Sequence, residues 1–282
     1  MKQPGQLYIV ATPIGNLADI TLRALQILSE VDFIAAEDTR YSRRLLNHHG
    51  ITTRLISLYE HNEACRSQEL LANLQAGQQI ALISDAGTPL ISDPGYRLVM
   101  QVVEADITVT PIPGPCALTA ALSCAGLPTD RFVFEGFLPT KSMQRQLRLE
   151  NLIEETRTLI FYESPHRLMG SLQAIANVMG CQRHVVLAKE LTKSYEQMVR
   201  GTVTEVIAWL DELPERQQGE FVILIHGAAK KANNQLSYAD KRILEILLTE
   251  LSVKQAAKLT ASITGGQRND LYELALQLKD QS

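Results

Sequence analysis

The chain has 282 residues, 27 basic against 31 acidic side chains, a formal net charge of −4 and 45% hydrophobic residues. These values exclude disorder, collagen-like repeats and a disulfide-stapled miniprotein, and the length suits one large domain or two smaller ones. The mildly acidic balance gives no global sign of a nucleic-acid partner.

Residues 7–15 read LYIVATPIG, a short apolar run ending in Pro13 and Gly15, which predicts a buried parallel strand feeding a loop. A helix over 20–31 follows, with Leu22, Leu25 and Leu28 on one face and Asp19 or Thr21 as its cap. A strand over 33–36 runs into Glu37-Asp38-Thr39-Arg40, and a helix over 41–49 stops at Gly50. A strand over 55–58 ends at Tyr59-Glu60-His61-Asn62-Glu63, and residues 65–75 read as a helix. The strand over 79–84 leads into Asp85-Ala86-Gly87-Thr88-Pro89. A helix over 94–104 and a strand over 107–112 lead to Pro113-Gly114-Pro115. Repeated strand, loop and helix predict an α/β unit with a mostly parallel sheet, whose ligands sit beyond the carboxyl ends of its strands.

From residue 116 the spacing changes. A helix of small residues (116–124), a strand (132–137), a basic helix (141–153), a strand (158–162) and a helix (168–179) precede strands at 184–189, 197–202 and 221–226. Trp209 falls on a helix between the last two. The hairpin-like spacing predicts a second α/β unit with antiparallel pairing. Residues 227–240 are polar and read as a linker, before helices at 238–251, 253–263 and 270–278. The turn at Gly265-Gly266 gives a helix-turn-helix-like pattern, which a packing or dimerising appendage fits equally. The expected division is 1–114, 115–229 and 236–282.

The densest chemical signal is SDAGTPLISDPG, residues 84–95, with two acids, two glycines and two prolines after an apolar strand. It reads either as two tight turns or as a small-molecule pocket where backbone and the carboxylates of Asp85 and Asp93 meet a polar or cationic ligand. PIPGPCALTAAL, from residue 111, reads as a hinge or as a helix start that approaches a ligand. The chain has no GxGxxG, GxxxxGK[ST], HExxH or GxSxG motif. Cys65, Cys116, Cys124 and Cys181 lack CxxC spacing, so neither metal nor disulfides are expected. With no eighteen-residue apolar run and no leader pattern, no membrane span is expected and a cytoplasmic location is the default. Arg40, Arg43, Arg44 and Arg54, with His48 and His49, form one basic patch, and Lys141, Arg145 and Arg148 a second with no acid between 136 and 149; both suit solvated faces or phosphate contacts. Glu163-Ser164-Pro165-His166-Arg167 and Lys189-Glu190 follow two strands of the second half.

LYIVATPIGNLADIT, AAEDTR, ISDAGTPLISDPG, PIPGPCALTAALSCAGLPTDRF, EGFLP, TLIFYESPHR and AKELTK follow one another in order. Over residues 7–228 this succession closely resembles the tetrapyrrole methylase superfamily of S-adenosylmethionine-dependent methyltransferases, in particular its bacterial small-subunit ribosomal RNA ribose 2′-O-methyltransferases. The tail, with ITGGQRNDLYELAL, more loosely resembles their helix-turn-helix-like C-terminal segment. The resemblance implies two α/β domains of the tetrapyrrole methylase type plus a short C-terminal helical segment. It implies a homodimer, with the donor in the cleft and a cytidine of 16S ribosomal RNA near the decoding centre as acceptor. By motif, the donor pocket would use Pro13, Asp85, Ala86, Gly87, Thr88, Ser92 and Asp93. Gly114, Pro115, Cys116 and Ala117 would follow at the hinge, with Phe161, Leu191, Gly227 and Ala228 closing the pocket. Candidate bases are Glu37, Asp38, Glu60, Lys189 and Glu190; candidate RNA contacts are Arg40, Arg43, Arg44, Lys141, Arg145 and Arg167. A methylase of a tetrapyrrole intermediate shares the donor fold and stands as the alternative.

Overall fold

A computed structural model describes residues 5–59, 62–229, 236 and 238–280. The first half runs β1 (Gln6–Val10), α1 (Leu22–Glu30), β2 (Phe33–Ala36), α2 (Thr39–His48), β3 (Arg54–Ser57), α3 (Glu63–Gln75), β4 (Gln79–Ile83), α4 (Tyr96–Glu104) and β5 (Val109–Ile112). Its sheet has the order β3-β2-β4-β1-β5, and every pair is parallel. Strand alternation feeds two cores: Tyr8 and Val10 join Leu28 and Leu46 under α1 and α2, while Leu7 joins Leu70 and Leu98 under α3 and α4. Thr21, not Asp19, caps α1, accepting from the Ala24 N–H. Helix α4 starts at Tyr96, two residues later than the sequence suggests, because Gly95 before it stands at φ +124°.

The second half runs α5 (Ala117–Ala125), β6 (Phe132–Phe137), α6 (Ser142–Asn151), β7 (Thr158–Glu163), α7 (Pro165–Met179), β8 (His184–Lys189), β9 (Gln197–Thr202), α8 (Val203–Glu212) and β10 (Phe221–Ile225). The sheet order is β6-β7-β10-β8-β9. The expected antiparallel pairing holds except at β6, which runs parallel to β7. Helices α6, α7 and α8 cover one face, and α5 covers the other. The small residues Ala121 and Ala125 bring α5 into that second core beside Ile160, Val186 and Leu224. Along β7 the alternation sends Leu159 and Phe161 to the α6–α8 face and Ile160 and Tyr162 to the α5 face.

The tail forms α9 (Tyr238–Leu248), α10 (Val253–Thr264) and α11 (Arg268–Asp280) around its own core of Leu244, Ala256, Ala257, Leu271 and Ala275. Arg242 lies 3.9 Å from Glu150, and the Tyr238 N–H donates to Glu154, so the tail meets the second half near the end of α6. Of the expected linker, residues 230–235 and 237 lie outside the described residues. No described helix is long and apolar enough to cross a membrane.

Phe161, fully buried among the α6–α8 side chains, tests this layering directly. Phe161→Ala should lower unfolding free energy by about 3–5 kcal/mol in urea titrations. A loss below ~1 kcal/mol would contradict its place in the core.

Candidate active-site cleft

The carboxyl ends of β1 and β4 carry loops that are tied together. Thr12 and Gly87 exchange two backbone hydrogen bonds, at 2.8 and 3.0 Å, and the Thr12 hydroxyl donates to the Ser84 carbonyl at 3.2 Å. Thr88 donates from its hydroxyl to the Pro115 carbonyl at 3.0 Å, linking this loop to the hinge. Leu90 and Ser92 stand in left-handed conformations, at φ +72° and +68°. Each costs about 1–3 kcal/mol and persists only where the surroundings fix it. Glu63 supplies part of that fixation: its buried carboxylate accepts from the Gly95 N–H at 3.1 Å and the Arg97 N–H at 2.9 Å. Gly95 has no alternative, since a Cβ there would lie 2.8 Å from Leu82 Cδ2.

This loop walls a cleft of about 360 Å³ with the start of α5 and the near ends of β7, β8 and β10. Ile14, Asp85, Ala86, Gly87, Thr88, Ile91, Ser92, Asp93, Cys116 and Ala117 line one side. Phe137, Tyr162, Glu163, Ser164, Pro165, Ala188, Leu191, Glu220, Phe221 and Val222 line the other. The two halves touch closely beside it, for a Cβ on Gly15 would lie 2.4 Å from Lys193 Cγ.

The electrostatics of the cleft are acidic. Burial raises the Asp93 carboxyl to about 6, with the Asp85 charge adding to the shift against a hydrogen bond from Ser84. Burial and the Asp38 charge also raise Asp85, whose Oδ1 accepts from the Asp38 N–H at 3.0 Å. Glu37 is raised by burial, then by the charges of Asp85 and Asp93. Among the described residues no cation pairs with these three carboxylates. At the start of α5 the Leu118 N–H donates to the Tyr162 hydroxyl at 3.1 Å, and burial lifts that phenol above its ordinary range. The residues present fit a ligand with a cationic part near the carboxylates and an apolar part against Ile91, Leu191 and Val222.

Of the fifteen donor-pocket residues expected by motif, Asp85, Ala86, Gly87, Thr88, Ser92, Asp93, Cys116, Ala117 and Leu191 line this cleft. Pro13, Gly114 and Pro115 adjoin it without lining it, with Pro115 held by Thr88. Phe161 does not reach it, because alternation on β7 turns that side chain into the opposite core and presents Tyr162 instead. Gly227 and Ala228 are also elsewhere. β10 is antiparallel to β7, so Phe221 starts beside Glu163 at the cleft, and the residues after Ile225 emerge at the far end. There the Ala228 N–H donates to the Glu155 carbonyl at 2.7 Å.

The base candidates separate in the same way. Lys189 follows cleft-lining Ala188 and points the other way, its Nζ donating to the Glu215 carbonyl at 2.7 Å. Glu190 accepts from Lys193 Nζ and the Glu220 N–H, both at 2.8 Å, and so shapes its loop. Asp38 caps α2 and pairs with Arg40 at 3.2 Å. Glu60 lies outside the described residues. Glu37 remains: it does not line the cleft, but it feels the charges of Asp85 and Asp93 beside it.

Arg43, Arg44 and Lys141 are exposed, as is Arg40 despite its partner Asp38. Arg145 is half-buried against Gly170. Arg167 is internal in function: it donates to the Leu138 carbonyl and lies 3.4 Å from buried Glu163, which leaves it unsuited to an RNA contact. Sequence reasoning missed Tyr162, Glu163, Ser164, Pro165 and Phe137 as lining residues. The alternation within TLIFYE pointed to Tyr162, whereas no pattern in EGFLP pointed to Phe137.

A model of the tetrapyrrole (corrin/porphyrin) methylases matches residues 6–207, and one described as the RsmI C-terminal HTH domain matches residues 236–279. The chain is 55% identical over 274 residues to ribosomal RNA small subunit methyltransferase I of Escherichia coli O157:H7, covering 97% of this chain and 95% of that one. The protein of the same name from Synechocystis sp. is 50% identical over 277 residues, covering 98% and 99%. Among solved structures, a cobalt precorrin-4 methyltransferase matches with a TM-score of 0.58 at 16% identity, over 78% of this chain and 94% of its own. A diphthine synthase matches at 0.60 and 12%, over 79% and 90%. At such identities the likeness concerns the fold alone.

The acidic cleft carries a pH signature. Asp93 titrates at about 6 when folded against an ordinary 3.8, so between those values the folded state holds the extra proton. Stability attributable to this group therefore falls as pH rises through that window. Asp93→Asn removes the penalty. Its thermal midpoint should exceed that of the wild type at about pH 8 and converge with it toward about pH 4. A gap of the same size at both ends would show that Asp93 does not titrate there.

Proposed function

Because the chain belongs to the tetrapyrrole (corrin/porphyrin) methylases and, within them, to the ribosomal RNA small subunit methyltransferase I family, we propose that it transfers a methyl group from S-adenosylmethionine to the ribose 2′-hydroxyl of a cytidine in 16S ribosomal RNA near the decoding centre. The observation that carries the reading is the pair of cleft-lining carboxylates, Asp85 and Asp93, without a cation partner among the described residues and beside the apolar side chains Ile91, Leu191 and Val222. S-adenosylmethionine, when bound, supplies an electrophilic methyl group on a cationic sulfur, and its amino-acid part carries an ammonium group beside a carboxylate. Asp85 and Asp93 offset those positive charges, and the same charges draw both carboxylates back toward their ionised forms. Ile91, Leu191 and Val222 exclude water around the remainder, so that positioning supplies much of the acceleration. A ribose hydroxyl attacks well only as its proton leaves, and Glu37 takes that proton. Its raised pKa, set by burial and by Asp85 and Asp93, brings the carboxylate nearer to neutral and makes it a better acceptor.

Arg40, Arg43, Arg44 and Lys141 contact RNA phosphates from outside the cleft. The working unit in this reading is a homodimer acting in the cytoplasm, with 1–114 and 115–229 as the two halves of the enzyme and 236–282 as an appended helical segment.

Purified protein, unmodified small ribosomal subunits and methyl-labelled donor test the proposal. Label should appear on a single ribose 2′-oxygen; label on a base atom, or none on RNA, overturns it. In the same assay Glu37→Gln should lower kcat by about 10²- to 10⁴-fold. An unchanged kcat removes Glu37 as the base. Replacing Arg43 and Arg44 by Gln should weaken subunit binding and reduce the slope of log affinity against log salt by about 1 for each phosphate no longer neutralised. A slope equal to wild type rejects the α2 patch as an RNA contact.

A further inference from the structure

Strand β6 spends one residue more than β7 over the same stretch. Phe134 pairs with Ile160, and Phe137 rather than residue 136 pairs with Tyr162. Without the extra residue, position 137 would share the face of Val133 and point into the core under α6–α8. The bulge returns it to the face of Phe134 and Tyr162, which is the cleft face. Gly136, at φ +65°, supplies the conformation that the bulge requires. Phe137 thus lines the cleft while remaining 50% exposed, with its ring centroid 5.8 Å from that of Tyr162. Tyr162 in turn lies 4.8 Å from Phe134.

Two arginines clamp the bulge from either side. Arg148 donates to Glu135, and Arg167 donates to the Leu138 carbonyl while standing 3.4 Å from Glu163, whose carboxylate accepts from Ser164 N–H and Ser171 Oγ. The fold therefore commits a bulge and two charged side chains to holding one large apolar ring half in water. An aromatic ring left there has surface to cover when a ligand arrives. The buried lining residues Ala188 and Val222 form the deeper wall, whereas Phe137 stands at the rim.

We propose that Phe137 is a stacking platform for the nucleobase of the nucleotide that receives the methyl group. The inference rests on the RNA-ribose reading above. When a nucleotide leaves the surrounding RNA stack to bring its ribose into the cleft, the unstacking costs a few kcal/mol. An aromatic ring at the rim returns part of that cost, because single-stranded bases stack readily on protein rings. Tyr162 backs the ring edge-on and is itself met edge-on by Phe134.

Phe137→Ala, Phe137→Leu and Phe137→Trp are assayed on unmodified small ribosomal subunits, with S-adenosylmethionine affinity measured separately by calorimetry. The expected result is a fall in kcat/KM toward subunits of about ten- to a hundredfold for Ala and Leu, with Trp close to wild type and donor affinity unchanged in all three. The Leu variant keeps apolar bulk and so carries the test if the Ala variant fails to fold. Wild-type kcat/KM in Phe137→Leu overturns the platform. A fall in donor affinity parallel to the loss of turnover also overturns it, by assigning the ring to the donor. No transfer to ribosomal RNA by the wild type overturns the underlying reading and the platform with it.

Discussion

The backbone pairing of Thr12 with Gly87 holds the cleft in place. Two hydrogen bonds bind the loop after β1 to the loop after β4, and Thr88 extends the tie to the hinge carbonyl of Pro115. With its near end fixed there and its far end fixed by Glu63 at Gly95 and Arg97, the intervening loop is held in two left-handed residues that a free chain would avoid. Asp85 and Asp93 ride on this loop; burial raises both carboxyls, with the Asp38 charge adding at Asp85 and the Asp85 charge at Asp93. The uncompensated charge is a cost to the protein alone. It becomes useful when a cationic ligand arrives.

The parallel half was the more legible part of the sequence. Each strand there is a short apolar run followed by a polar loop, so periodicity located the strands and chain polarity located the ligand end. SDAGTPLISDPG was readable as a site because it combines acids with turn formers. The second half was harder for a physical reason. In a mixed sheet the cleft end of a strand alternates between its beginning and its end. Gly227 and Ala228 follow β10 in sequence but leave from the wrong end of it. Phe161 and Lys189 each sit one residue from a lining residue, and alternation inverts their facing.

Arginine counts carried a similar ambiguity. A formal charge cannot show whether a guanidinium faces water or spans the interior. Arg43 and Arg44 remain at the surface, whereas Arg148 and Arg167 are engaged in bracing β6 and the turn into α7. The basic stretch around residue 145 therefore contributes less free positive surface than its composition suggests, and helix α2 a larger share.

The polarity of β10 also sets a length scale. The strand enters at the cleft and its five residues carry the chain to the opposite end of the sheet before the tail begins. Five residues of strand span roughly 17 Å. The tail, held against Glu150 and Glu154, therefore leaves the second sheet at the end opposite the cleft.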